Sequence, residues 1–169
     1  MIKVIAFDVF GTLVDMKDVP KEEIAAYGRQ LRGPVWKPLV LPNSWTHLLP
    51  FTDVLSGLHR LSNEFRLVTC TNAPLGFQRK LFRNCDLDGY FGADYGMVPL
   101  EYIEKYKTAR ECYQLITTYC HVRPAEVMMV TANRDFGDLE ASEAIGMVPQ
   151  LIRHPGCPDL LALADQLGC

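Results

Sequence analysis

The sequence has no long apolar run; stretches such as Val4–Phe7 and Val127–Val130 are far too short to span a bilayer. Its six cysteines include no Cys-x-x-Cys pair, and none of its four histidines stands at zinc-finger spacing from a cysteine. A structural metal site therefore has no support. Neither sign of charge dominates: 17 basic against 20 acidic residues give a net charge of −3. That balance offers no electrostatic case for nucleic acid or for an anionic membrane surface as partner. Internal repeats and low-complexity tracts are lacking too. Asp8 falls where a signal peptide needs its apolar core, so the expected location is cytoplasmic. In that reducing setting most of the cysteines are expected to act as small buried hydrophobes.

What is present is a chain of 169 residues, 49% hydrophobic, long enough for one domain with a core of its own. Four short, mostly apolar runs, Val4–Phe7, Leu67–Cys70, Val127–Val130 and Met147–Ile152, predict strands, and the first, without polar alternation, suits a strand buried on both faces. Pro149 inside the last marks it as an edge strand or a short one. Helical spacing falls between them: Asp53–Leu61 with Asp53 as N-cap, Thr108–Cys120, Leu139–Ile145 stopped by Gly146, and Pro158–Leu167 stopped by Gly168. Strand and helix in alternation predict a doubly wound parallel α/β sheet across 1–169. Residues 15–50 break the pattern. A short polar helix, Pro20–Leu31, leads into a stretch holding Pro34, Pro38, Pro42 and both tryptophans, Trp36 and Trp45. This is a short insertion after the first strand, expected either to anchor a surface loop or to shape a site and support a homodimer.

In an open parallel sheet, ligands bind beyond the carboxyl ends of the strands. Those ends carry Asp8 and Thr12, then Thr71 and Asn72, then Asn133, Asp135 and Asp138, with Lys107 before the third strand. A carboxylate nucleophile, hydroxyl and amide donors, an ammonium and further carboxylates would meet in one crevice. The run Phe7-Asp8-Val9-Phe10-Gly11-Thr12-Leu13 resembles the first motif of the haloacid dehalogenase (HAD) superfamily. Thr71-Asn72, Tyr106-Lys107 and Asn133-Arg134-Asp135-Phe136-Gly137-Asp138 resemble its second, third and fourth motifs, in order. The resemblance covers the chain outside 15–50.

It implies a Rossmann-like core and a hydrolase in which Asp8 forms a covalent ester that water later cleaves. Thr12 would orient Asp8, and Thr71, at the start of a helix, would offer its hydroxyl and N–H groups to an anionic substrate. Lys107 would hold the carboxylates ionised, and Asp138 would position Lys107 or activate water. Phosphatases of the superfamily carry a general acid two residues after the nucleophile; here that residue is Phe10, which has no proton to give. The 2-haloacid dehalogenase branch has an aromatic residue there, so Phe10 points to dehalogenation of a small carboxylate with no cofactor. The short stretch between Asp8 and Thr71 leaves only a stub of a cap, in which Arg29 and Arg32 are the candidates to receive halide, with Asp135 also facing substrate. Two alternatives stand beside this one. A magnesium-dependent phosphatase would use Asp8 and Asn133 as metal ligands. A binding protein would have kept the fold and lost turnover.

Overall fold

Four parallel strands form the sheet of the computed structural model, which describes residues 1–32, 39–92 and 110–169. Strands β1 (Val4–Phe7) and β3 (Val127–Thr131) lie at the centre, flanked by β2 (Arg66–Thr69) and β4 (Val148–Leu151) in the order β2-β1-β3-β4. Val4 pairs with Arg66 on one side and with Val127 on the other. Every residue of β1 and β3 is buried, as their unbroken apolar runs require once helices cover both faces. Side chains alternate across the sheet. Ile5, Phe7, Met128 and Val130 enter one core layer, while Val4, Ala6, Val127 and Met129 enter the other.

The first layer is closed by helices α2 (Val54–Leu61), α3 (Leu75–Asn84), α4 (Asp88–Phe91) and α7 (Leu160–Leu167), and the second by α5 (Arg110–Cys120) with α6 (Asp138–Glu143) beside it. Helices α2 and α7 touch at Gly57, where an added Cβ would lie 2.8 Å from Leu160 Cγ and 3.1 Å from its backbone. Only a residue without a side chain permits that approach. The expected strands are all present, with bounds moved by a residue. Helices α3 and α4 had no counterpart in the sequence reading, because Gly76, Gln78, Arg79 and Lys80 blur the apolar spacing of α3. Asp53 precedes α2 as expected, yet its side chain makes no capping bond there and serves a more distant partner.

The insertion over 15–50 leaves and rejoins the core at one place. Val14 bridges Pro50, the Asp15 N–H donates to the Leu49 carbonyl at 2.9 Å, and the Phe51 N–H donates to the Leu13 carbonyl at 3.1 Å. Between these ends stand helix α1 (Lys21–Leu31) and a 3-10 turn over Asn43–His47. Trp45 in that turn is buried in the main core, and its Nε1–H donates to Glu23 of α1 at 2.7 Å. Lys80 and Asn84 of α3 donate to Asn43 and Thr46, fastening the turn from the other side. Trp36 lies outside the described residues. No disulfide forms: the six cysteines are all free thiols, four of them buried. Burial pushes the Cys85 thiol up to about 11 and raises that of Cys120 as well. Among the described residues no helix is long and apolar enough to cross a membrane.

Candidate functional site

Just beyond β1 the chain turns sharply, because the N–H groups of Thr12, Leu13 and Val14 all donate to the Val9 carbonyl, at 3.2, 2.9 and 3.1 Å. Gly11 supplies the left-handed backbone, φ +79°, that this turn needs. The turn carries Thr12 back over Asp8. Its hydroxyl donates to Asp8 Oδ2 at 2.6 Å and accepts the Ala132 N–H at 2.9 Å, so one oxygen ties the carboxylate to the loop after β3. Asp8 is 4% exposed, and its own N–H donates to the Val130 carbonyl.

The loop after β2 is set by Gln78 of α3, which reading by motif did not single out. The Thr69 hydroxyl donates to its side-chain oxygen and its amide donates to the Ala73 carbonyl, each at 2.8 Å. A glutamine on a helix ordinarily reads as solvated, so only its burial in the fold reveals this role. Thr71 is buried within the loop and accepts the Ala73 N–H at 3.3 Å. It does not open a helix, since Pro74 occupies the N-cap position and α3 starts at Leu75.

Beyond β3, the Thr131 hydroxyl donates to Asp138 at 3.1 Å and accepts the Asn133 N–H at 3.0 Å. The Tyr113 hydroxyl donates to the other Asp138 oxygen at 3.1 Å. Burial, with Cys70 and Asp138 close by, pushes the Tyr113 pKa far up, so the phenol stays a neutral donor.

Above these strand ends opens a cavity of about 540 Å³. Asp8, Asn72 and Asn133 line it from the sheet, and Tyr27, Arg29 and Arg32 line it from α1. Phe10 forms part of its wall and is backed by aromatic rings on three sides, with centroids 5.3 Å away for Trp45, 6.0 Å for Tyr27 and 6.3 Å for Phe77.

Neither a protein-family model nor a curated protein matches the sequence. The three-dimensional comparison does find likeness. An L-2-haloacid dehalogenase superposes with a TM-score of 0.77 at 23% identity, over 99% of each chain. The fold is that of the haloacid dehalogenases. The L-2-haloacid dehalogenase of Xanthobacter autotrophicus, solved with chloropropionic acid covalently bound, superposes with a TM-score of 0.72 at 19% identity, over 90% of this chain and 78% of that one. A HAD phosphatase from Thermococcus onnurineus gives 0.69 at 18%, over 99% of this chain and 98% of that one.

On this HAD-like fold Asp8, Phe10, Arg29, Arg32, Asn72 and Asn133 gather around one cavity. Thr12 orients Asp8 directly. One expectation is corrected. Asp135 is exposed and does not line the cavity, where Phe136 stands instead. Asp138 is fully buried behind the loop, bonded by Thr131 and Tyr113. Lys107 and Tyr106 lie outside the described residues.

The residues after β4 were missed. Arg153 donates from Nε to the Thr12 carbonyl at 2.9 Å, and His154 Nε2 lies 2.7 Å from the Ala132 carbonyl. The signal was available, because these are polar side chains at a fourth strand end. Among the described residues no three His, Cys, Asp or Glu side chains converge. Asp8 and Asn133 line the cavity together and would offer two oxygen ligands to a magnesium ion, which keeps waters in its remaining positions.

Proposed function

We propose that this protein is a hydrolase that displaces halide from a 2-halocarboxylate through a covalent ester on Asp8. A carboxylate oxygen of Asp8 attacks the halogen-bearing carbon, and the carbon–halogen bond breaks as the halide leaves with its electron pair. Water then adds to the ester carbonyl, releasing a 2-hydroxy acid and regenerating Asp8. Arg29 and Arg32 supply positive charge for the departing halide and the substrate carboxylate. The observation that carries this reading is Phe10. It is 8% exposed, walls the cavity and is locked among aromatic rings, where phosphoester cleavage would need a proton donor for its leaving group. Halide departure needs none. The covalent adduct in the Xanthobacter enzyme, on the same fold, supports the same chemistry.

Magnesium-dependent phosphate transfer is the second reading, favoured by Asn133 lining the cavity with Asp8. Phe10, which has no proton to give a leaving group, weighs against it, and no step is assigned to a metal. The test is halide release from 2-chloropropionate against phosphate release from a phosphoester panel, each with and without EDTA. Halide release unaffected by EDTA, with an adduct on the peptide containing Asp8, is the expected result. Phosphate release abolished by EDTA, without halide, overturns the proposal.

A further inference from the structure

Ala132 is pinned from both sides. Its N–H donates to the Thr12 hydroxyl at 2.9 Å, and its carbonyl oxygen lies 2.7 Å from His154 Nε2. A carbonyl can only accept, so Nε2 carries a proton and donates, whatever the state of Nδ1. The peptide unit that bears this carbonyl also bears the Asn133 N–H, which donates to the Thr131 hydroxyl at 3.0 Å. His154, Ala132, Thr12 and Asp8 thus form one chain of contacts, ending in the 2.6 Å bond from Thr12 to the carboxylate. Of these four, Asp8 lines the cavity and the other three stand behind it.

Local sequence places the imidazole. The Cys157 N–H donates to the His154 carbonyl at 2.8 Å and closes a turn around Pro155 and Gly156. Proline followed by glycine is the pair that a type II turn takes, and proline disfavours helical backbone in the residue before it. On the other side, the Arg153 N–H donates to the Pro158 carbonyl at 2.9 Å, and the Arg153 side chain is anchored on Asp53 and on the Thr12 carbonyl. A side chain on backbone fixed in this way gives up little further freedom to make its bond.

We infer that His154 is a positioning residue for Asp8. Its Nε2–H fixes the Ala132 carbonyl, and the Ala132 N–H in turn holds the Thr12 hydroxyl in line with the carboxylate. This rests on the reading of Asp8 as the nucleophile. Loss of the donor at Nε2 removes one of the two holds on Ala132, and small misplacements of an attacking group are costly in rate.

The experiment compares the parent protein with His154→Gln, His154→Phe and His154→Leu. Glutamine carries an N–H as many bonds from Cβ as Nε2, whereas phenylalanine and leucine fill the space without a donor. The first readout, the Ala132 amide proton resonance, needs no turnover. It is expected to move upfield in both apolar variants, whose agreement separates the lost donor from ring currents, and to return toward the parent position with glutamine. The second readout is steady-state halide release from 2-chloropropionate. Loss of the donor is expected to lower kcat about tenfold, the worth of one hydrogen bond, with KM changed by less than about twofold. Glutamine is expected to regain most of the rate. On a Thr12→Val background His154→Phe is expected to cost almost nothing more, because the path to Asp8 is already cut. An Ala132 resonance unmoved by both apolar variants overturns the inference. So does a glutamine variant no better than phenylalanine, or a fully additive loss on the Thr12→Val background. A resonance that responds as expected, in a protein that releases no halide, sustains the hold of His154 on Asp8 and refutes the dehalogenation reading.

Discussion

The guanidinium of Arg153 grips the carboxylate of Asp53 with two parallel hydrogen bonds, at 2.8 and 3.0 Å, across a hundred residues of sequence. Both side chains are largely buried, at 14% and 13% exposure. The cation also stacks over the Phe51 ring at 4.0 Å. Asp53 accepts the Leu160 N–H at the start of α7 as well. Burial alone would raise the Asp53 pKa, but the Arg153 hydrogen bonds, the Leu160 N–H and the Arg153 charge outweigh it and hold the carboxyl below its ordinary value. With Nε on the Thr12 carbonyl, this one arginine joins α2, α7 and the turn that holds Asp8.

Arg153→Lys is therefore expected to cost about 3 kcal/mol, since lysine cannot reproduce the forked pairing and leaves Asp53 half-satisfied. Denaturant unfolding measures the loss. The same variant is expected to lower kcat through the displaced Thr12 turn, and an unchanged Tm would show the pair to be idle.

Thr12 offers a sharper test of the site itself. Thr12→Val removes the donor to Asp8 and leaves the half-buried Ala132 N–H without its acceptor. A fall in kcat of about a hundredfold is expected from the misaligned carboxylate. KM is expected to change little, and Thr12→Ser to restore most of the rate because serine keeps the hydroxyl. Steady-state kinetics on the three proteins would decide it.

Two glycines are expected to respond to alanine with opposite signs. Gly57→Ala forces a methyl group into Leu160 and costs about 1–3 kcal/mol. Gly76→Ala, in the first turn of α3 with open space around it, gains up to about 1 kcal/mol. Thermal melts of both variants against the parent check the pair together.

Glu126 makes the acid limb of stability predictable. The Lys3 ion pair, followed by the backbone and side chain of Arg123, lowers its pKa from 4.5 to about 2. A carboxyl depressed by folding stabilises fully above its unfolded pKa and loses that contribution as pH falls through the folded value. Stability should thus decline between pH 4.5 and about 2. Glu126→Gln should flatten that part of the curve in urea melts run across the range.

The legible parts of this protein are local ones. Val4–Phe7 and Val127–Val130 announce a twice-covered sheet because four consecutive apolar residues fit few other environments. Asp8, Phe10, Gly11 and Thr12 form a single turn, so their spacing already contains their geometry. Arg153 with Asp53, or Gln78 with Thr69 and Ala73, leave no such trace, since each partner is chosen by the packing of separate elements. Asp135 and Asp138 show the limit from the other side. Three residues apart in one motif, they end on the surface and in the interior, because Gly137 with φ +79° turns the chain between them.

The bridge from Val14 to Pro50 gives the insertion a closed neck. Its two ends are hydrogen-bonded to each other, so the entropy of bringing them together is met at the neck, whatever lies between. Because closure entropy grows only with the logarithm of loop length, chain added beyond that neck would burden the sheet very little. The roof over Asp8 can therefore lengthen beyond its neck while the strands that carry the nucleophile keep their register, provided that Trp45 stays seated in the core.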